Sequence, residues 1–117
     1  MNRTFFEVFS GSNGQYYFRY KAANGEQILA SEGYTTKQSC IVGIDSVKRI
    51  SPYDSSYRRT DAYLNYRFTM VAGNGEAVAK SSEGYVSAQG RENAISVVKV
   101  NAAGAEVRDL TALRIHG

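Results

Sequence analysis

Tyr16-Tyr17-Phe18-Arg19-Tyr20-Lys21-Ala22-Ala23-Asn24-Gly25-Glu26 has a second version fifty residues on, Tyr66-Arg67-Phe68-Thr69-Met70-Val71-Ala72-Gly73-Asn74-Gly75-Glu76. In both stretches apolar and polar residues alternate up to an Asn-Gly pair. A period of two marks a strand with one buried face, and Asn-Gly supplies the left-handed backbone of a tight hairpin. The duplication extends outward. Ser31-Glu32-Gly33-Tyr34 recurs as Ser82-Glu83-Gly84-Tyr85, Ile44 as Ile95, and Val47-Lys48 as Val98-Lys99, now at an offset of 51. One residue is therefore inserted in the second copy, within Lys80 to Ser82. Such self-similarity at a fixed spacing is read before any single motif.

Working outward from the hairpin, Phe6 and Val8 form an earlier strand, with Asn13-Gly14 as its turn, and Ile28 and Ala30 form the returning strand. Beyond Gly33-Tyr34 the period becomes helical. Cys40 or Ile41, Ile44, Val47 or Lys48 and then Ile50 make one stripe, and Arg91, Ala94, Ile95 and Val98 the matching one. Thr36 and Ser87 are placed to cap the two helices, and Thr35-x-x-Gln38 offers a capping box one residue earlier. Ser51-Pro52 ends the first, because proline disfavours a helical residue before it. Tyr57 opens the second copy in the place of Phe6. The turn Tyr63-Leu64-Asn65 lacks Asn-Gly and predicts a looser connection. Glu106 to Leu110 reads as a short last strand. A unit of about fifty residues buries little surface alone. Two units sharing one sheet solve this, with both helices over the same face and an internal pseudo-twofold axis.

The expected fold is therefore α+β: one domain over residues 1–117, with repeat one at about 5–52 and repeat two at about 55–111. The 43% hydrophobic content fills an ordinary core, and the formal net charge of +3 is mild. No run of basic residues exceeds two. The single cysteine, Cys40, excludes an internal disulfide and a thiolate metal cluster. No apolar leader follows Met1 and no stretch is long enough to span a bilayer, so the expectation is a cytoplasmic protein away from membranes. Without a secretion signal, the sequon Asn2-Arg3-Thr4 carries no weight.

Several motifs in order resemble one family. Phe18 to Glu26 is similar to its "FRLKAANGE" stretch, Ser31 to Lys37 to "SEGYxSK", Gly43 to Lys48 to "GIxSVK", and Asn101 to Thr111 to "NAPxAEVxDLT". These belong to the YegP-like family of small bacterial proteins of unknown function. The resemblance covers nearly the whole chain. It implies tandem β3-α-β repeats in a single antiparallel sheet with swapped C-terminal strands, and it brings no catalytic residues. The second copy departs at Val71-Ala72-Gly73 and at the insertion, for which a β-bulge in the third strand is the expected accommodation.

His116 stands one residue from the C-terminus, an unsuitable place for an oriented catalytic imidazole. Cys40 reads as a small buried hydrophobe. The repeated carboxylates Glu26 with Glu76 and Glu32 with Glu83 follow from the duplication. Gly33 and Gly84 suggest an unusual backbone angle. No catalytic site, cofactor or metal is expected, and the chain is read as a non-enzyme. The candidate binding surface is the strand face turned from the helices: Tyr17, Arg19, Lys21 and Arg67. Tyr and Arg are enriched in binding surfaces. The expected function is a non-catalytic interaction module, a monomer with internal pseudo-dimer symmetry and an unidentified protein partner. Weak nucleic-acid binding through the same basic and aromatic face is the alternative, with an enzyme ranked last.

Overall fold

A computed structural model describes residues 3–111. The sequon's Asn2, and His116 with the tail 112–117, lie outside the described residues. Seven strands form one sheet: β1 (Phe5–Ser10), β2 (Tyr16–Lys21), β3 (Gln27–Ala30), β4 (Tyr57–Thr60), β5 (Arg67–Val71), β6 (Ala77–Ser81) and β7 (Glu106–Asp109). Two helices, α1 (Lys37–Ile50) and α2 (Ala88–Asn101), complete the chain. The strand order is β4-β5-β6-β3-β2-β1-β7.

Each local device recurs in both copies. Gly25 and Gly75 have φ of 88° and 86°. Asn24 and Asn74 each accept the N–H two residues on, from Glu26 and Glu76, at 2.9 Å. Asn therefore closes the turn with its side chain, and Gly takes the left-handed backbone. The hydroxyls of Thr36 and Ser87 accept the N–H groups of Ser39 and Gly90 at 3.0 Å, capping α1 and α2. The buried stripe of α1 is Cys40, Gly43, Ile44 and Val47, and that of α2 is Arg91, Ala94, Ile95 and Val98. Both stripes join one core with Phe6, Val8, Phe18, Tyr20, Phe68 and Met70, the inward residues of the strands.

Four local expectations need correction. The sheet is not wholly antiparallel: β7 runs parallel to β1, with Phe6 opposite Val107 and Glu7 opposite Arg108. The chain arrives at that edge from α2 in the direction of β1, so a parallel pair is the geometry available. The insertion produces no bulge in the third strand. Ser31 and Ser81 hold equivalent places, accepting the N–H of Phe18 and Phe68, so the added residue is Ser82, whose N–H bonds Ile28 O at 3.0 Å. The third strand is bulged instead in both copies and near the hairpin, where Ile28 is extra opposite Tyr20 and Lys21, and Val78 opposite Met70 and Val71. The turn before β5 is not loose. Asn65 N–H bonds Ala62 O at 2.9 Å, and Leu64 takes φ of 54°. Lastly, Gly33 and Gly84 need room rather than an unusual angle, since a Cβ on either would run into Gln15 or Asn65.

The segment after each helix lies under the other helix. Lys48 of α1 donates to Ala105 O at 2.7 Å, and Lys99 of α2 donates to Asp54 Oδ1 at 2.7 Å. Lys48 also stands over the ring of Phe6, and Lys99 over that of Tyr57. These paired contacts tie the two halves reciprocally.

Two predictions follow from the backbone and the core. A left-handed non-glycine residue costs about 1–2 kcal/mol, of which glycine's extra unfolded freedom returns about 0.5–1 kcal/mol. Leu64→Gly should therefore raise stability by about 0.5–1 kcal/mol, read as a higher urea midpoint at unchanged slope. Cys40 is fully buried, and burial, with a smaller contribution from Asp109, pushes its thiol up to about 11. Ellman's reagent should leave it unmodified at neutral pH in the native protein and titrate it fully in urea.

Candidate functional site

Alternation along the strands puts Phe6, Val8, Phe18 and Tyr20 under the helices and turns Phe5, Glu7, Phe9, Tyr17, Arg19 and Lys21 to the other side. The helices leave that side uncovered. Three of the expected binding residues, Tyr17, Arg19 and Lys21, meet there on β2. They are not free. Arg19 Nε donates to Glu7 Oε1 at 2.7 Å, and Lys21 Nζ lies 3.3 Å from the same oxygen. The Arg19 guanidinium also stands 4.3 Å from the centre of the Phe9 ring. Tyr17 stacks on Phe9 at 5.6 Å and accepts a hydrogen bond from Asn13. The first copy's face is thus a knit cluster whose two cations share one carboxylate.

Arg67 lies on the same face but on β5, apart from the other three, and it is exposed. It donates to the neutral side chain of Asn65 at 3.0 Å. Its neighbours are cations that sequence reading did not single out. Strand registers align one transverse row across the sheet: Arg108 (β7), Glu7 (β1), Arg19 (β2), Ala30 (β3), Lys80 (β6), Thr69 (β5) and Arg58 (β4). A cation stands on every second strand, roughly 10 Å apart at the usual strand spacing. Arg58 and Lys80 are exposed and have no ion pair among the described residues. Arg58 is the repeat counterpart of Glu7, and Lys80 of Ala30. Sliding the copies over each other and applying the period of two would have found both.

The helix side carries the other ion pairs. Arg91 is buried in the place that Cys40 holds in the first copy. It is paired with Asp61 and Glu92, and its guanidinium stands 5.5 Å from the Tyr66 ring. Arg59 bonds Glu92 and Asp54. Asp54 is pulled down to about 2 by its hydrogen bonds from Lys99 and Arg59.

Two open grooves, of about 490 and 280 Å³, flank the helices and are related by the repeat. Tyr34, Val42 and Val78 line one, and Tyr85, Asn93 and Ile28 the other. Glu76 and Glu26, from the hairpin of the opposite copy, reach their walls. The Tyr85 hydroxyl is buried without a hydrogen-bond partner, and burial pushes it up to about 12. Among the described residues no three His, Cys, Asp or Glu side chains are grouped to hold a metal ion, and no helix is long and apolar enough to cross a membrane.

Burial pushes the Glu7 carboxyl up, but the hydrogen bonds from Arg19 and Lys21 outweigh it and hold the group below its ordinary 4.5. A depressed carboxylate contributes stability above its unfolded value and loses it as pH falls through the folded one. Glu7→Gln should cost about 1–2 kcal/mol at pH 7. The gap to the parent protein should close as the pH is taken below 4.5, measured by urea denaturation across pH.

Comparison with known proteins agrees with this architecture. The family model "Domain of unknown function (DUF1508)" matches twice, at residues 12–57 and 64–109. The chain is 40% identical over 103 residues to the "UPF0339 protein in ptx operon 5'region" of Stutzerimonas stutzeri, covering 87% of this chain and 92% of that one. It is 40% identical over 107 residues to "UPF0339 protein YegP" of Escherichia coli K12, covering 91% and 96%. The solution structure of a UPF0339 protein from Shewanella oneidensis superposes with a TM-score of 0.85 at 35% identity, over 92% of this chain and 91% of that one. The structure of yegP from E. coli, a protein of unknown function, superposes at 0.83 and 38% identity, over 92% and 93%. With two copies of the domain and relatives matched nearly end to end, the chain belongs to the UPF0339 (YegP) family, whose function is unknown.

Proposed function

We propose that the chain is a non-catalytic binding module that takes its partner on the open face of the sheet. The observation that carries this reading is the one-sided cover: both helices pack against one face, and the other presents a row with a cation on every second strand. In this reading the protein is a cytoplasmic monomer. Its two units, about 5–52 and 55–111, form one domain, and the C-terminal strand of the second crosses to the first. The position of β7 beside β1, and the reciprocal bonds of Lys48 and Lys99, support that crossing. Duplication yields one continuous platform instead of two half-sheets, each too small to hold a partner.

The test places a photo-crosslinking amino acid at Thr69 on the open face or at Val42 on the exposed side of α1. Irradiated in cells, the Thr69 protein should form discrete adducts, the Val42 protein none, and the adducts should disappear in Arg58→Glu/Lys80→Glu. Adducts from Val42 alone, or equally from both positions, would place the binding surface elsewhere.

A further inference from the structure

The charges of the open face are segregated from those of the rest of the molecule. Arg19, Lys21, Arg58, Arg67, Lys80 and Arg108 lie on this side, against the carboxylates of Glu7 and Glu106 and that of Glu32 at its edge. That excess of three equals the formal net charge of +3 for the whole chain. The remainder balances, so the protein presents one cationic side to an approaching polyanion.

The segregation is sharper within the face. Arg19 and Lys21 share the one carboxylate of Glu7, and Glu106 pairs with Arg108. On the second-copy half Arg58, Lys80 and Arg67 have no ion pair among the described residues, with Glu32 lining the same pocket as Lys80 and Thr69, and the three cations frame Thr69 in the middle of the exposed strands. Two strands beyond Lys80 on the same side, and across the row from Arg67, lies the stacked pair Phe9 and Tyr17. Cations along one row, with an aromatic pair farther across the sheet, match the chemistry of a strand that offers both phosphates and bases.

We infer that the occupant of the open face is a single-stranded nucleic acid, its phosphates held by Arg58, Lys80 and Arg67. This rests on the open face being the binding surface. A rigid duplex has its charges on a curved surface and its bases inside. A flexible strand can follow a row that crosses all seven β-strands and offer bases to Tyr17. Glu7 then has a second effect beyond stability, withholding Arg19 and Lys21 from phosphate and confining the backbone contacts to the second copy.

The experiment is fluorescence anisotropy of a labelled 12-nucleotide single strand, the same sequence as a duplex, and a polyglutamate of equal charge, each across a salt series. Three phosphate contacts predict a slope of log K against log salt of about −2 for the single strand. Arg58→Ala/Lys80→Ala should weaken binding roughly tenfold at low salt and bring the slope toward about −0.7. Glu7→Gln should strengthen binding and steepen the slope by freeing Arg19 and Lys21, a gain that a purely structural role would not produce. Arg49→Ala, the loss of one exposed charge on the helix side, should leave both unchanged. The inference falls if the single strand fails to bind at low salt, if polyglutamate or the duplex binds as tightly, or if the double variant binds like the parent. Protein adducts at Thr69 without oligonucleotide binding would overturn the nucleic-acid assignment while leaving the binding-module reading intact.

Discussion

Two short strands hold the molecule together. β3 and β6 pair through Leu29 opposite Ser81 and Ala30 opposite Lys80, and this is where the two copies become one sheet. The repeat offset turns the Ala30–Lys80 pair into itself, so the internal twofold axis passes through it. Separated there, each helix would keep its apolar stripe but lose half of the floor beneath it, and Leu29, fully buried at the joint, would face water. Burial of the stripes contributes most of the stability of such a layered domain. The joint therefore sets the fold of both halves, and the open face owes its breadth to it.

Around that axis the two copies have diverged in chemistry more than in shape. The Asn-Gly hairpins and the helix caps repeat nearly atom for atom. Other positions do not: Glu7 becomes Arg58, Ala30 becomes Lys80, Cys40 becomes Arg91 and Gly43 becomes Ala94. Arg91 is tolerated in a core position because Asp61 and Glu92 satisfy its guanidinium and the Tyr66 ring lies beside it. Removing a partner from a buried charge costs far more than the pair contributes, so these residues must change together. The outward positions carry no such constraint, and there the second copy has collected its unpaired cations.

The architecture was legible because the duplication offered two independent readings of every element. Strand alternation, Asn-Gly hairpins, and the Thr36 and Ser87 caps are local features with local causes. The features that escaped depend on what lies across a gap. The parallel pairing of β7 is set by the direction from which the chain returns, which no window of sequence reports. Gly33 and Gly84 were read as needing a special angle, when a neighbouring side chain fills the space a Cβ would take. Alternation places Tyr17, Arg19 and Lys21 on one face, but the hold of Glu7 on Arg19 and Lys21 is a cross-strand contact twelve and more residues away. Arg58 and Lys80 each look like solvated surface when read in their own strand, and the row appears once the registers are known.

The parallel edge has a consequence for how the chain is made. β1 leaves the ribosome before the other six strands, and its outer partner β7 after them. Until residues 106–109 emerge, β1 shows a bare row of N–H and C=O groups and Phe6 lacks part of its cover. Unpaired strand edges on nascent chains invite the wrong partner. The sheet around β1 is therefore completed only when the second copy has been made, and the duplication couples the folding of the first repeat to the synthesis of the second.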